Sequence, residues 1–536
     1  MGNFLISHSV DTGVERDPKQ IAFRSQGVDL NFAELSRKRA QVAAWLIDSG
    51  LRRGDRVGIY CRRSLESAIA IYGVMLAGGA FVPIDPDAAP GWMESVIQDC
   101  GLNHLICDFK TAGSARRLLR DASLPIQHVL GLEREEDLEY RGESWQAMEG
   151  YSLSESQLPS LREADLAYIM YTSGSTGLPK GIMHTHFSGL HYARLSSALY
   201  GLEPTDRIAN HSPLHFDMST LGFLTGPFVG ATTVMIPEAY TKFPASLSGL
   251  VESDRLTIWY SVPTALIQML HYGALEKRDC RSLRWVLYGG EPFALKHLER
   301  LMTLWPQARF SNVYGPAEVN QCTYFHFSRA DLAGLDALSG VPIGRCWSRT
   351  DGLILDESDM PLKGAMVSGE LVVSTVTMMK GYWNRPALTE AAFVTLADGS
   401  GKEQVYYRTG DLVRRDQEGR FQFLGRKDRQ VKLRGYRVEL DGVEGVLTSH
   451  AAVEEGAVYL KAVADPAEGE SEDFSLYATV QLRSGEGISG NSLIEFLEHK
   501  LPHYAVPRRI DIVESLPRTG SGKIDRRALS LAGSVE

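Results

Sequence analysis

The sequence is poor in cysteine and has no long apolar run, and both absences exclude classes of protein. Its 536 residues include only six scattered cysteines and no C-x-x-C pair, which is typical of a reducing compartment and not of a disulfide framework. The histidines of HTHFSGLH (184–191) lack Cys or acidic partners at ligand spacing, so we expect a packing or surface role for them and not metal binding. No stretch approaches the length of about 18 apolar residues that a membrane span requires.

The N-terminal sequence and the charge exclude further classes. MGNFLISHSV (1–10) has no basic region followed by a long apolar run, and Ile6 stands where myristoylation requires Ser or Thr. The net charge is -10, from 56 basic and 66 acidic residues, and no dense basic stripe is present. We therefore expect a cytoplasmic enzyme without a membrane or nucleic-acid partner.

Length and hydrophobic patterning predict two domains. A size of about 150 residues per domain already indicates more than one core. Helix and strand signals alternate over 33–110 and again over 232–289, which predicts largely parallel sheets covered on both faces. Short strands separated by turn residues follow residue 350, as in a small β-barrel or sandwich. We predict an α/β fold with a large domain over 1–427 and a small, mobile α+β domain over 428–536.

The stretch YTSGSTGLPKG (171–181) is a candidate phosphate-binding loop. A Walker A loop requires Lys directly after its last Gly, but Leu178 and Pro179 separate Gly177 from Lys180. The glycines still allow backbone N–H groups to come close to an anion, while the hydroxyls can donate and the Lys adds charge. Alone, the stretch would favour an ordinary Gly/Ser turn.

Ten further motifs accompany this loop, and together they resemble the signature of the adenylate-forming superfamily. That superfamily includes the amino-acid adenylation domains of nonribosomal peptide synthesis, acyl-CoA synthetases and luciferases. In chain order the motifs are NFAEL (31–35), LAGGAFVPIDP (76–86), HFDMST (215–220), NVYGPAE (312–318), GELVVS (369–374), GYWNRP (381–386), YRTGDLVR (407–414), GRKDRQVKLRG (425–435), LPHYAVP (501–507) and TGSGKIDRRAL (519–529). The resemblance covers roughly residues 30–530 and implies the fold predicted above.

The resemblance also implies which residues bind ATP and act in catalysis. The expected nucleotide-binding residues are Thr172, Ser173, Gly174, Ser175, Thr176, Gly177, Lys180, Asn312, Tyr314, Gly315, Asp411 and Arg426. Glu318 is expected to hold Mg²⁺, and Lys523 to bridge the substrate carboxylate and the phosphate as the catalytic residue. Asp428 is the expected hinge for rotation of the small domain between two half-reactions. Ala317 departs from the Thr common in the family, which removes a hydroxyl contact to the α-phosphate.

Asp217 in HFDMST bears on the kind of acid that is activated. In amino-acid adenylation enzymes an Asp at this position pairs with the α-ammonium group of the substrate, whereas acyl-CoA synthetases generally lack it. A buried carboxylate is costly unless a cation pairs with it, so the residue makes sense in an amino-acid pocket. The alternative is that Asp217 caps the segment that follows it.

The positions that select the amino acid read D-M-L-Y-L-G-V-Q-C-K. They are Asp217, Met218, Leu221, Tyr260, Leu287, Gly289, Val313, Gln321, Cys322 and Lys523. The pattern resembles that of stand-alone prolyl-carrier-protein ligases, roughly D-L-L-Y-L-A-x-V-C-K, and implies a small apolar box suited to a pyrrolidine ring. Met218, Gly289 and Gln321 depart from it: Gly289 is expected to enlarge the box, and Gln321 places an amide where an aliphatic group usually lies. A substituted or larger proline analogue therefore stays open.

The resulting prediction is an ATP- and Mg²⁺-dependent ligase that forms aminoacyl-AMP and passes the acyl group to a carrier-protein thiol. Neither a GGxS attachment motif nor an HHxxxDG motif is present, so we expect a separate phosphopantetheinylated carrier protein. One alternative is an acyl-CoA ligase for a small carboxylic acid, distinguished by whether free CoA accepts the acyl group. The other is a catalytically silent binding protein, against which Lys523, Glu318 and Asp411 argue.

Overall fold

The polypeptide divides into two units. The computed structural model describes residues 5–121, 123–133, 139–172, 174, 178–332, 335, 340–397, 401–462, 474–519 and 524–531. The first unit comprises Met1–Pro86, Gln98–Tyr171 and Gly181–Lys427. The second comprises Asp87–Ile97, Thr172–Lys180 and Asp428–Glu536.

Three β-sheets form the framework of the first unit. The strands up to residue 346 are β1 (Ile21–Ser25), β2 (Val28–Asn31), β3 (Arg56–Tyr60), β4 (Ala80–Pro83), β5 (His104–Cys107), β6 (His128–Leu130), β7 (Arg141–Glu143), β8 (Leu166–Thr172), β9 (Lys180–Thr185), β10 (Arg207–Asn210), β11 (Thr232–Met235), β12 (Ile258–Ser261), β13 (Trp285–Gly289), β14 (Arg309–Tyr314), β15 (Thr323–Phe327) and β16 (Arg345–Cys346). They are followed by β17 (Thr350–Leu355), β18 (Pro361–Leu362), β19 (Ser368–Thr375), β20 (Gly381–Tyr382), β21 (Phe393–Ala397), β22 (Glu403–Arg415) and β23 (Phe421–Arg426).

Parallel pairing dominates the two larger sheets. The nine-stranded sheet has the order β16-β15-β14-β13-β12-β10-β11-β1-β2, and the eight-stranded sheet has the order β20-β9-β8-β4-β3-β5-β6-β7. The strands from β14 through β13, β12, β10 and β11 to β1 pair in parallel, and the ends of that sheet are antiparallel. Strands β4, β5 and β13 are buried along their whole length, as expected for strands covered on both faces. The predicted α/β fold is confirmed.

The third sheet contains the short strands predicted after residue 350. Its order is β18-β17-β19-β22-β21, with β23 paired to β22. The pairs within it are antiparallel, and β22 is the central, 13-residue strand. Among the described residues this order is open, so the short strands form an open sheet where a barrel or sandwich was expected.

Helices lie between the strands of the two larger sheets. Before residue 428 they are α1 (His8–Arg16), α2 (Phe32–Asp48), α3 (Leu65–Leu76), α4 (Pro90–Cys100), α5 (Ala112–Asp121), α6 (His186–Tyr200), α7 (Gly226–Val229), α8 (Glu238–Thr241), α9 (Pro244–Ser253), α10 (Pro263–Tyr272), α11 (Leu295–Leu304), α12 (Arg329–Leu332) and α13 (Pro386–Ala391). Helix α6 begins with a reciprocal cap between Thr185 and Ser188 and ends at Gly201, whose left-handed conformation (φ 54°) suits glycine. These two signals fix the position of Tyr200, the last residue of α6.

The second unit has the α+β composition that the sequence predicts. Its elements after residue 428 are β24 (Gln430–Leu433), β25 (Tyr436–Glu439), α14 (Leu440–Thr448), β26 (Val453–Ala462), β27 (Phe474–Leu482), α15 (Gly490–Glu498), β28 (Arg509–Val513) and α16 (Arg526–Leu531). Strands β26, β27 and β28 form one sheet, and β24 and β25 form a hairpin. Apolar side chains of α14, α15 and the three-stranded sheet, including Leu447, Val458 and Leu493, make its core.

The six cysteines are free thiols, and all but Cys346 are buried. Burial raises the thiol pKa of five of them: to about 11 for Cys100 and Cys280, to about 12 for Cys107 and Cys346, and well above the ordinary value for Cys61. None of the described helices combines the length and apolar character that a bilayer crossing requires.

Five histidines of the first unit are held neutral by burial. Desolvation lowers their pKa from the ordinary 6.5 to about 4 for His104, His184, His186 and His326 and to about 3 for His211. Between pH 6.5 and 4 the unfolded chain therefore binds more protons than the folded chain at these positions. Stability must fall as the pH falls through this interval, and the contribution is fully present above about pH 6.5.

We expect His184→Gln to weaken this pH dependence. Between pH 7.5 and 5 the wild type should lose about 2 kcal/mol more free energy of unfolding than the variant, because one titrating group is removed. Urea unfolding followed by tryptophan fluorescence measures the difference. The matched control is His499→Gln, at an exposed position of the second unit, which shows the effect of a His-to-Gln change by itself. If the wild type and His184→Gln lost equal amounts of free energy of unfolding between pH 7.5 and 5, the lowered pKa of His184 would be contradicted.

Candidate nucleotide and substrate site

Tyr314, Asp411 and Arg426 form one buried cluster in the first unit. The Tyr314 hydroxyl donates to one carboxylate oxygen of Asp411, and the Arg426 guanidinium donates to the other. Asp411 and Arg426 are opposite each other in the β22–β23 pair, and the Asp411 N–H donates to the Thr409 hydroxyl at 3.0 Å. Burial and the neighbouring carboxylate raise the pKa of Tyr314 well above its ordinary value, so the phenol stays a donor. Three residues predicted to bind the nucleotide are thus brought together.

Strand β14 presents two different faces. Asn312 and Tyr314 share one face because side chains alternate along a strand, and Ser311 and Val313 share the other. The Asn312 amide donates to the Pro342 carbonyl at 2.9 Å. The loop after the strand begins at Gly315, where a Cβ atom would overlap the Asn320 carbonyl, so only glycine fits. The nucleotide face and the substrate face predicted from sequence are therefore the two sides of one strand.

The candidate phosphate loop is described only in part. Ser173, Ser175, Thr176 and Gly177 lie outside the described residues, as does the catalytic candidate Lys523. The Thr172 hydroxyl is buried and has no hydrogen-bond partner in the described part of the chain, which fits a donor reserved for an anion. Gly174 lies close to the Leu178 carbonyl, and Lys180 Nζ is 3.9 Å from a carboxylate oxygen of Glu439.

Glu318 is fully buried and held by neighbours that the sequence analysis did not single out. The Tyr382 hydroxyl donates to Glu318 Oε1 at 2.8 Å, and the Met379 N–H donates to the Glu318 carbonyl at 2.7 Å. His184 Nε2 lies 2.9 Å from the Ala317 carbonyl, and because a carbonyl only accepts, this nitrogen carries the proton. His184 thus packs as predicted and also positions the residue before Glu318. Only the folded contacts reveal these roles.

A magnesium ion is compatible with Glu318. The described residues include no group of three or more His, Cys, Asp or Glu side chains that could hold a metal by themselves. Mg²⁺ commonly takes one or two protein carboxylates and completes its shell with substrate phosphates and water. Glu318, a single carboxylate on the loop after β14, is suited to binding Mg²⁺ in this way.

Four predicted substrate-binding residues meet in one apolar cluster. Leu221, Leu287 and Val313 are buried together, and the half-buried Tyr260 packs against them. Tyr260 of β12 is in register with Leu287 of β13, and Gly289 of β13 is in register with Val313 of β14. Leu221 begins a short π-helix, Leu221–Thr225, that the sequence did not predict.

Asp217 is the first residue of a short 3₁₀ helix, Asp217–Ser219, near this cluster. Its Oδ1 accepts the N–H of the half-buried Met218 at 3.0 Å. The residue that precedes the helix is Phe216, so the predicted alternative of an Asp217 N-cap does not describe this turn. Burial, with a contribution from the Asp217 carboxylate, raises the pKa of Tyr192 and Tyr260. Asp217 therefore places a negative charge among neutral phenols.

Gly289 and Cys322 differ from their expected roles. A Cβ atom at Gly289 would overlap the Val313 carbonyl, so the glycine allows the close approach of β13 and β14 and does not open room in the cluster. Cys322 packs with Tyr314 in a neighbouring apolar cluster, and its thiol donates weakly to the Tyr314 carbonyl at 3.6 Å. It is not part of the cluster that contains Leu221.

The second unit holds the hinge candidate and an acidic residue that sequence reasoning missed. Asp428 Oδ1 accepts the Gln430 N–H at 3.2 Å, just before β24. Glu444 of α14 accepts from Arg526, from Arg429 at 3.1 Å and from the Val458 N–H at 3.0 Å. Arg526 lies three residues after Lys523 in the sequence, so Glu444 anchors the chain on the C-terminal side of the candidate catalytic lysine.

The comparison with known families identifies the class of protein to which this fold belongs. Residues 10–383 match the family described as AMP-binding enzyme, and residues 442–523 match the AMP-binding enzyme C-terminal domain. The chain belongs to this family and is an ATP-dependent adenylating ligase. The superfamily expected from the ordered motifs is confirmed.

Individual relatives cover nearly the whole chain. It is 31% identical over 528 residues to an L-proline–[L-prolyl-carrier protein] ligase from Pseudomonas fluorescens. That alignment covers 98% of this chain and 99% of the relative. An enzyme of the same name from Streptomyces coelicolor is 32% identical over 514 residues, and the alignment covers 94% of this chain and 92% of that enzyme. Among solved structures, the amide bond synthetase McbA from Marinactinospora thermotolerans has a TM-score of 0.82 at 24% identity, covering 98% of this chain and 99% of that one, and shows the same fold.

We expect Gly289→Ala to destabilise the first unit by about 1–3 kcal/mol, because the added methyl group must push β13 from β14. Urea unfolding measures the change. The matched control is Gly249→Ala within α9, where a Cβ would meet only the Arg278 guanidinium at 3.5 Å; it should be neutral or stabilising by up to about 1 kcal/mol. If Gly289→Ala were as stable as the wild type, the steric role of this glycine would be wrong, and the expectation that it enlarges the pocket would stand.

Proposed function

We propose that this enzyme activates an amino acid, with proline or a substituted cyclic imino acid as the best candidate. Its carboxylate would attack the α-phosphorus of ATP, forming aminoacyl-AMP and releasing pyrophosphate. The acyl group would then pass to the phosphopantetheine thiol of a separate carrier protein, with AMP as the leaving group. The observation that carries the proposal is the Asp217 carboxylate placed beside an apolar cluster in an adenylating enzyme.

Asp217 supplies the only charge that amine recognition needs. A carboxylate in partly apolar surroundings gains most from a cation that hydrogen-bonds to it, and the substrate ammonium is such a cation. The phenols of Tyr192 and Tyr260 stay neutral because burial raises their pKa. They can shield the pair from water without competing for the positive charge.

The apolar cluster suits a small ring. Leu221, Leu287, Val313 and Tyr260 offer aliphatic and aromatic surface, and each methylene buried there contributes about 0.8 kcal/mol. The two prolyl-carrier-protein ligases similar to this chain support a pyrrolidine ring, and they also support a carrier protein as the acceptor.

The Tyr314 cluster supports the proposed nucleotide site. Tyr314 would stack on adenine with Asn312 near its amino edge, while Asp411, paired with Arg426, would accept the ribose hydroxyls. The Thr172–Lys180 loop would bind the β- and γ-phosphates. Glu318 would hold Mg²⁺, which would offset phosphate charge during the transfer. Lys523 would bridge the substrate carboxylate and the α-phosphate.

The two half-reactions motivate a two-domain mechanism. We propose a large domain over 1–427 and a small domain over 428–536, with Asp428 as the hinge. One orientation would deliver Lys523 for adenylation, and the other would bring the KLRG segment (432–435) forward for transfer to the thiol. The left-handed Gly435 (φ 84°) in the β24–β25 turn lacks a side chain and would allow a pantetheine arm to come close.

Amino-acid-dependent ATP–pyrophosphate exchange tests the reaction and the role of Asp217. The panel contains proline, methylated and hydroxylated prolines, pipecolate, the common amino acids, aryl acids and cyclopentanecarboxylate, which lacks the amine. We expect exchange with proline or a cyclic relative, and a loss of about a hundredfold in kcat/KM for Asp217→Asn, about 3 kcal/mol.

Cyclopentanecarboxylate is the internal control, since Asp217→Asn should not reduce its residual exchange. Exchange only with acids that lack an amine, followed by acyl transfer to free CoA, would contradict the proposal and indicate an acyl-CoA ligase.

Lys523→Ala separates catalysis from folding. Pyrophosphate exchange should fall by about a thousandfold, about 4 kcal/mol, because the bridging charge is lost. Transfer of synthetic prolyl-AMP to a loaded carrier protein should persist, since that step uses the other orientation. Lys363→Ala, at an exposed position, is the control and should keep both activities. Loss of both half-reactions in Lys523→Ala would disprove a role confined to adenylation.

A further inference from the structure

The Gln321 amide is bonded to a phenol of the substrate cluster. Its Nε2 lies 2.9 Å and its Oε1 3.2 Å from the Tyr200 hydroxyl oxygen, and the two residues are 3% and 2% exposed. Tyr200 ends α6 and belongs to the same apolar cluster as Leu221 and Leu287. A polar pair therefore lies against the aliphatic surface proposed to hold the substrate ring.

The polar groups continue beyond Tyr200. Burial raises the pKa of the Tyr200 phenol and the Ser311 hydroxyl partly lowers it, which places the two groups close together, and the Ser311 hydroxyl lies 2.9 Å from His326 Nδ1. Ser311 and His326 are opposite each other in the β14–β15 pair. Burial, with a contribution from Arg309, lowers the pKa of His326 to about 4, so the imidazole is neutral. Its Nε2 is buried without a hydrogen-bond partner among the described residues.

The four uncharged groups are the side chains of Gln321, Tyr200, Ser311 and His326. Burying them costs free energy that a purely apolar substrate would not offset. An amide has two N–H donors and two acceptor lone pairs on its oxygen, and a single hydroxyl cannot satisfy all of them. Each buried polar group left unpaired costs about 1–3 kcal/mol. Gln321 is also where the resemblance to prolyl-carrier-protein ligases breaks, since their pattern has an aliphatic Val. Both polar atoms of the amide bond to the Tyr200 hydroxyl, so the amide can offer a ligand the second N–H and the second lone pair that this hydroxyl does not use.

We propose that the enzyme selects an amino acid whose ring or side chain carries a neutral hydrogen-bonding group, a hydroxyl, that meets the Gln321 amide. Tyr200, Ser311 and His326 are positioning residues that hold the amide in the orientation the hydroxyl requires. The four groups of this network are uncharged, so they favour a neutral hydroxyl over an ionised substituent. The inference rests on the proposed amino-acid activation and names the substrate class more narrowly.

Matched substrate pairs test the proposal by pyrophosphate exchange. Proline is paired with each 3- and 4-hydroxyproline diastereomer, which adds one hydroxyl, and valine is paired with threonine, in which a hydroxyl replaces a methyl group. We expect the wild type to favour one hydroxylated member by about tenfold or more in kcat/KM, since a site built to hydrogen-bond a hydroxyl rejects the analogue without it. KM and kcat are recorded separately.

Two variants show whether the network acts through Gln321. Tyr200→Phe keeps the ring in the cluster but removes the hydroxyl, so it should lower kcat/KM for the hydroxylated substrate about tenfold more than it lowers kcat/KM for the parent. Gln321→Val should reverse the preference toward the parent. In the double variant that combines Tyr200→Phe with Gln321→Val, the two changes in substrate preference should not add, because both substitutions remove the same interaction.

Tyr459→Phe, which removes a phenol bonded to Thr479 in the second unit, is the matched control and should leave the preference unchanged. Ser311→Ala is a further test. It should lower the preference for the hydroxylated substrate, as Tyr200→Phe does, but by a smaller factor.

The outcomes separate this inference from the function on which it rests. If amino acids support exchange but the wild type prefers the parent in every pair, or Tyr200→Phe lowers both members equally, the hydroxyl proposal is wrong and amino-acid activation stands. If no amino acid supports exchange, both proposals fail.

Discussion

The hydrogen bond from the Tyr314 hydroxyl to the Asp411 carboxylate is the contact on which the rest of the site depends. Tyr314 ends β14 in the nine-stranded sheet, and Asp411 lies in β22 of the antiparallel sheet, so the bond joins two sheets of the first unit. Fixing Tyr314 also fixes the strand that carries it. Because side chains alternate along β14, the same contact determines that Val313 faces the apolar cluster and that Ser311 faces Tyr200.

Buried carboxylates in this unit are matched to different kinds of partner. Asp411 is paired with the Arg426 guanidinium, which offsets its charge and leaves it suited to accept neutral hydroxyl groups such as those of ribose. Glu318 accepts a hydrogen bond from the Tyr382 phenol, which satisfies one lone pair of the carboxylate. These contacts are compatible with the proposed ligands, ribose hydroxyls for Asp411 and Mg²⁺ for Glu318.

Sequence patterns predicted the repeating parts of the fold well. Continuous apolar runs such as those of β4 and β13 are buried on both faces, which is the pattern that parallel strands produce. The motif residues Tyr314, Asp411 and Arg426 lie together in one cluster.

What the sequence could not supply depends on contacts between distant positions. The steric role of Gly289 follows from the separation of β13 and β14, and no local pattern encodes that distance. Tyr200 and Gln321 are 121 residues apart and meet only through the end of α6. The π-helix after Asp217 has no propensity signature that distinguishes it from an ordinary turn.

The burial of the thiols has a consequence for an enzyme of this class. Acyl adenylates are mixed anhydrides that react with any accessible thiolate, and a thiol reacts in proportion to its ionised fraction. With the thiol pKa of Cys61, Cys100, Cys107, Cys280 and Cys346 raised, these side chains stay protonated at neutral pH. These five thiols are therefore poor targets for an acyl adenylate, and a cysteine introduced at an exposed position would be a selective site for a chemical label.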